Sequence, residues 1–198
     1  MSLAGWGRMS PRARLAWVLQ ATAALALVQV GLQTFQDRYR LGIDPQAETS
    51  LTDAAGRPAR LYLVELQRRE VGRGDLVAVR PPARARQLLR EAGIGFPSPM
   101  LPGRLFAKRV AAVAGDTVAV RPEGVWVNGR QVAGPLVLAG TLRKPPEAFA
   151  RTYRLGAGEL FLLGSSPASF DSRYWGPVGR EAVIGRVRVL WYGAPRRE

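Results

Sequence analysis

From Leu15 to Gln36 the chain carries no charged side chain. A helix over Leu15–Leu32 spans about 27 Å, close to a bilayer core of about 30 Å. Gln20, Gln29 and Gln33 dilute the apolar run without interrupting it. A stretch of this length disfavours the remaining alternative, a buried helix of a soluble domain, and leaves the rest of the chain to build its own core. Arg8, Arg12 and Arg14 precede it, which predicts a cytoplasmic N-terminus and an exported remainder, although Arg38 and Arg40 follow. The expected organisation is residues 1–14 in the cytoplasm, a transmembrane anchor over 15–35 and an exported domain over 36–198, in a single pass through the cytoplasmic (inner) membrane. Ala24-Leu25-Ala26 offers the small-x-small pattern of a cleaved signal peptide. The apolar run continues past it to Phe35, which favours an uncleaved anchor.

The remainder reads as β-structure. Short alternating or apolar runs at Leu61–Glu65, Leu76–Arg80, Leu105–Val113, Thr117–Arg121, Val125–Val127, Glu159–Leu163 and Ile184–Trp191 are separated by turn residues. Asn128-Gly129 marks a tight hairpin. Ala83–Ala92 is the one short helix expected in this part, with Gly93 as its stop. Arg38–Leu51 reads as a polar irregular link, and the segment around Pro135, Pro145 and Pro146 as a Pro-rich excursion. The fold class is mostly β: a single catalytic domain of short strands with an N-terminal transmembrane helix and a short inserted helix.

Composition removes whole classes of chemistry. The chain has no histidine and no cysteine, so Ser-His-Asp triads, thiol nucleophiles and Cys/His metal sites are out. If it catalyses hydrolysis, a serine activated by lysine is the main arrangement left. Only two lysines occur among 29 basic residues, Lys108 and Lys144. Lys108 lies in the apolar run Leu105–Val113, where strand alternation sets Phe106, Lys108 and Val110 on one face and Leu105, Ala107 and Arg109 on the other. Desolvation there should lower the lysine toward about 7–8, where a general base works best. A lysine reaching solvent from the strand is the alternative. The formal charge of +14 is nearly all arginine, scattered through every segment. Such a charge can meet nucleic acid or an anionic membrane surface, but without a basic block interleaved with aromatics it is a weak pointer, and a nucleic-acid partner is not expected.

Three phrases carry a resemblance: Gly74-Asp75-Leu-Val-Ala-Val79, Lys108-Arg-Val-Ala-Ala-Val-Ala-Gly-Asp116 and Ser169-Phe-Asp171-Ser-Arg173-Tyr-Trp-Gly176. In order and spacing they resemble successive boxes of the type I signal peptidases, which are serine–lysine peptidases. Arg73–Pro82, Gly124–Gly129 and Phe170–Pro177 are more similar to the conjugative-transfer peptidases of the TraF type. The resemblance implies a membrane-anchored serine endopeptidase without metal or organic cofactor. Its expected partners are membrane lipids and a precursor protein with an N-terminal signal segment, in the TraF type a pilin, released as a hydrolysed or cyclised product. It implies Lys108 as base, Ser169 as the hydroxyl that orients it, and Asp171–Arg173 as an ion pair bracing the Ser169 loop.

The nucleophile box departs from the family pattern. Ser50 is the only serine between the anchor and the Leu61 strand and is the choice here, with an apparent insertion from Thr52 to Arg57 before Pro58. Thr49, Thr52 and Ser98 are the other hydroxyls weighed. Ser165 stands where the housekeeping enzymes carry an aspartate. Two rival readings are a housekeeping signal peptidase and a non-catalytic component of a transfer apparatus built on a peptidase-like domain.

Overall fold

The computed structural model describes residues 10–43, 51–66, 71–95 and 105–194. The chain divides into two units, Met1–Tyr39 and Arg40–Glu198.

The first unit is helix α1, Pro11–Arg38. Ser10 caps it, its hydroxyl accepting from the Ala13 N–H at 3.3 Å, and Pro11 occupies the first turn, where no N–H donor is needed. At 28 residues the helix runs about 42 Å, longer at both ends than the 15–35 span read from the charge gap. None of its residues is buried, and its best window has a mean hydropathy of 1.8. The hydroxyls of Thr22 and Thr34 donate to the carbonyls of Val18 and Val30, four residues back, at 2.8 Å each. That pairing removes the cost of two polar groups on an apolar helix. By length and composition α1 is a candidate membrane anchor.

The second unit is built from two antiparallel arrays. Strands β1 (Tyr39–Ile43), β2 (Ala59–Glu65), β3 (Leu76–Val79), β4 (Phe106–Ala112), β9 (Glu159–Leu163), β10 (Val178–Gly179) and β11 (Val183–Tyr192) form a seven-stranded sheet in the order β1-β2-β11-β3-β4-β9-β10. Strands β5 (Thr117–Arg121), β6 (Gly124–Val127), β7 (Arg130–Ala133) and β8 (Arg151–Arg154) form a four-stranded sheet in the order β7-β6-β5-β8. Helix α2, Ala83–Ala92, buries Ala85, Leu88, Leu89 and Ala92, a single stripe at helical spacing. Gly93, at φ 71°, ends it, and the Ile94 N–H returns to the Leu89 carbonyl at 2.9 Å.

Two apolar clusters flank β3 and β4, because alternate residues point to opposite faces. Val77, Val79, Phe106, Val110 and Ala112 join the larger core with the four-stranded sheet, β9 and α2. Ala78, Leu105 and Ala107 join a smaller one with Leu51, Ala59, Tyr62, Val64 and Val187. Asn128 (φ 50°) and Gly129 (φ 82°) form the predicted tight turn between β6 and β7.

Three elements differ from expectation. Of the supposed irregular link Arg38–Leu51, Arg38 ends the helix, Tyr39–Ile43 is strand and residues 44–50 lie outside the described residues, and the Pro-rich excursion is bracketed by β7 and β8. In each of these strands most side chains are exposed, so no buried alternation marks them. Pairing with a neighbouring strand, rather than a buried face, defines them.

Candidate active site

Lys108 enters from the middle of β4, opposite Val77 of β3. Its flanking residues on the same face, Phe106 and Val110, are buried, and the lysine itself is 5% exposed. Ala107 points the other way, into the smaller core. The Phe106 ring stacks on Trp175 (5.2 Å, 3° between planes), and Phe170 packs edge-on against Trp175 at 4.9 Å. Lys108 Nζ lies 5.6 Å from the centre of the Phe106 ring. Burial in this setting lowers the lysine from 10.5 to about 8, with Asp171 working against the shift and Arg173 with it.

The loop after β9 supplies the polar partners. Lys108 Nζ donates to Ser169 Oγ at 3.1 Å, across 61 residues of sequence. Ser169 and Asp171 are fully buried, and Arg173 nearly so. Arg173 grips Asp171 with two parallel bonds, Nε to Oδ1 and Nη2 to Oδ2, at 2.8 Å each. Asp171 also caps α3, Ser172–Trp175, by accepting the Arg173 N–H, and its Oδ2 accepts the Gly164 N–H at 2.8 Å. Arg173 Nη1 donates to the Pro167 carbonyl at 3.1 Å. The pair thus ties both ends of the Gly164–Arg173 loop together and fixes where the Ser169 hydroxyl points.

Sequence reasoning named these four residues but passed over their neighbours. Ser172 Oγ accepts from the Leu162 N–H at 3.0 Å and from Trp175 Nε1 at 3.1 Å, pinning the aromatic ring that walls Lys108. The Tyr174 hydroxyl accepts the Leu138 N–H at 3.0 Å. A polar residue next to an aromatic pair was the available signal, but it acquires meaning only once β4 lies alongside.

The two Gly-Asp phrases have structural tasks. Asp116 takes a forked bond from Arg73 Nη2, 2.7 Å to each oxygen, and bonds from the Val113 N–H and Asn128 Nδ2 at 2.8 Å. Burial alone would raise its carboxyl; the Val113, Asn128 and Arg73 bonds outweigh that and hold it below the usual carboxylate range. Asp75 pairs with Arg186 of β11 and accepts the Gly72 N–H at 2.9 Å. One box therefore ties the two sheets together, and the other locks the entry to β3.

Ser50, Thr49 and Ser98 lie outside the described residues. Thr52 is half-buried at the base of a turn. The apparent insertion after it closes on itself: Thr52 bridges Pro58, the Asp53 N–H donates to the Arg57 carbonyl at 3.1 Å, and Arg57 Nε bonds Asp53 at 2.7 Å. The Ala59 N–H then donates to the Leu51 carbonyl at 3.0 Å. Leu51, the residue after Ser50, is buried in the smaller core, and the chain re-enters β2 beside it. Residues 53–57 are thus looped out between the paired Leu51 and Ala59. Among the described residues no cluster of acidic side chains could hold a metal ion.

The profile of the family described as signal peptidase, peptidase S26, matches residues 15–192. The chain belongs to this family. Over 187 residues this S26 protein is 30% identical to the conjugal transfer protein TraF of Agrobacterium fabrum strain C58, covering 92% of this chain and 98% of that protein. It is 40% identical over 86 residues to the plasmid transfer protein TraF of Escherichia coli, a match to 42% of this chain and about half (49%) of that relative's length. A solved signal peptidase I from Enterococcus faecalis V583 aligns with a TM-score of 0.34 and 24% identity, over 61% of this chain and 98% of that one.

Proposed function

We propose that this S26 protein is a membrane-anchored serine endopeptidase in which Lys108 serves as general base and Ser50 as nucleophile. The observation that carries the reading is the state of Lys108. It is a buried lysine lowered to about 8, with its amine bonded to a buried serine hydroxyl. A neutral amine is what a general base requires, and burial against an apolar wall on Phe106 and Trp175 raises the neutral fraction near physiological pH. About a tenth of the molecules hold the amine neutral at pH 7, against roughly 0.03% for an unperturbed lysine.

In the proposed reaction Lys108 Nζ takes the Ser50 Oγ proton as the oxygen attacks the scissile carbonyl carbon. The Ser50 N–H donates to the oxyanion, and the collapsing intermediate passes the lysine's proton to the leaving amine nitrogen as the C–N bond breaks. Water, deprotonated by Lys108, then releases the acyl-enzyme. Ser169 positions the amine, and Asp171–Arg173 positions Ser169. The proposed substrate is an exported precursor with an N-terminal signal segment, a pilin of a conjugative system, as the long match to a conjugal transfer protein favours. With α1 in the cytoplasmic membrane and the arginines before it held inside, the domain from Arg40 onward faces the periplasm or exterior.

The test is processing of a co-expressed pilin precursor by wild type, Lys108→Ala and Ser50→Ala at equal membrane level, with a serine-acylating probe mapped by mass spectrometry. Cleavage by wild type alone, with the probe on Ser50, supports the dyad. Undiminished cleavage by either variant, or a probe adduct at another serine, refutes it. Cleavage of many unrelated exported proteins would move the assignment to a housekeeping signal peptidase. No cleavage and no adduct would leave a non-catalytic transfer component.

A further inference from the structure

Beside the loop that carries Ser169 the structure has a cleft of about 390 Å³ whose walls include Arg73, Arg109, Arg173, Ser165 and Ser166. Among the described residues no carboxylate lines it. Two of the three arginines are occupied: Arg73 is held by Asp116 and Arg173 by Asp171. Arg109 donates Nη1 to the Gly74 carbonyl at 2.8 Å, and among the described residues no carboxylate pairs with it. Arg109 is exposed, and Leu163 of β9 is its cross-strand partner. Ser165 lies two residues beyond Leu163, past the end of β9, and lines the same cleft as Arg109. Ser165 is also the position at which the housekeeping pattern places an aspartate. Arg109 is therefore a cation of this cleft with no carboxylate paired to it among the described residues.

We infer that this cleft is a substrate subsite that takes a carboxylate, with Arg109 as its cationic contact and the Ser165 and Ser166 hydroxyls as further donors. The inference rests on the peptidase reading above, since it places the carboxylate on the peptide being cleaved. Val110, on the Lys108 face of β4, and Pro167 and Arg173 of the loop that carries Ser169 also line the cleft, so it flanks the reacting centre. An extended peptide advances about 3.3 Å per residue. The carboxylate therefore belongs to an acidic residue within a few positions of the scissile bond, or to the substrate's own C-terminus when it lies that close. Ala111, Ala133, Gly134 and Gly164 keep the cleft open to such a chain.

The experiment uses the purified full chain in detergent with fluorogenic peptides bearing alanine before the scissile bond. Glu is compared with Gln at the three positions on either side, and a C-terminal acid with an amide. The expected result is one acidic placement with a KM about tenfold lower than its neutral counterpart. Whether a Glu position or the terminal acid gives it identifies the source. Arg109→Gln should abolish the acid-over-neutral difference, each neutral peptide serving as reference in the same variant. Equal KM for every acid and neutral pair overturns the inference.

A second measurement needs no turnover. Ser165→Asp supplies the missing carboxylate within the chain, so it should raise Tm in the wild-type background and fail to do so in Arg109→Gln. Absence of that coupling also overturns the inference. If no peptide is cleaved, the peptidase reading fails, and this cycle still judges the site.

Discussion

Replacing Lys108 by methionine should make the protein more stable at neutral pH while removing the proposed base. Lowering the lysine from 10.5 to about 8 means that the folded state holds a proton less tightly than the unfolded chain does. Between pH 8 and 10.5 the unfolded state binds more protons, so stability rises with pH across that window, and below it the lysine destabilises the fold by its full amount. At pH 7 the amount is about 3 kcal/mol. Methionine nearly fills the same volume without a charge to desolvate, but it forfeits the 3.1 Å bond to the buried Ser169, worth about 1 kcal/mol. The net gain of about 2 kcal/mol corresponds to a rise in Tm of roughly 4–8 °C for a domain of this size. At pH 10 the lysine's remaining penalty is about 1 kcal/mol, which the lost Ser169 bond cancels, so variant and wild type should melt together. The assay is thermal unfolding of the detergent-solubilised full chain by circular dichroism at pH 7 and pH 10. A methionine variant that melts below wild type at pH 7, or one with the same gain at both pH values, would refute the desolvated-lysine account.

In the peptidase assay, kcat/KM should climb as Lys108 loses its proton and level off above about pH 8, and Trp175→Ala, which opens the wall behind Phe106, should move that rise to higher pH. A pH–rate profile unchanged by the substitution would remove Trp175 from any part in setting the lysine. Arg173→Met strands the Asp171 carboxylate at a fully buried position and should cost about 3–5 kcal/mol, read as a lower denaturation midpoint in urea. Gly185 lies on β11 between β2 and β3, where a Cβ would overlap the Glu65 carbonyl. Gly185→Ala should therefore cost several kcal/mol, about 3 by analogy with overpacked cores, and lower Tm; a melting curve like that of wild type would mean the two strands can separate at that point.

The elements legible in sequence were those whose signal is local. Ala83–Ala92 has its apolar residues at helical spacing and a glycine to end it, and the helix found has the same bounds. Thr117–Arg121 and Glu159–Leu163 are likewise strands as read, and Asn128-Gly129 is the turn expected of that dipeptide. β1, β7 and β8 escaped notice because their side chains face solvent, and only a neighbour's backbone makes them strands. In the site, Lys108, Ser169, Asp171 and Arg173 were nameable from the phrases that contain them. Ser172 and Trp175 were not, since their work is done on β9 and on Phe106, far away along the chain.

By itself, then, the sequence determined which segment suits a membrane, that the remainder is strands, and that lysine is the base available to a chain without histidine. Charge gaps, alternation and absences are one-dimensional facts and survive without a fold. Tertiary structure decided the rest. Pairing of β4 between β3 and β9 brings Lys108 to within 3.1 Å of Ser169 and strips it of water. The Thr52–Pro58 bridge folds the residues between them out and sets Leu51 beside Ala59. Arg109 and Ser165, unremarkable apart, come to line one cleft. Each of these depends on contacts between residues distant in sequence, and the energies involved, desolvation above all, arise only when the sheets close around them.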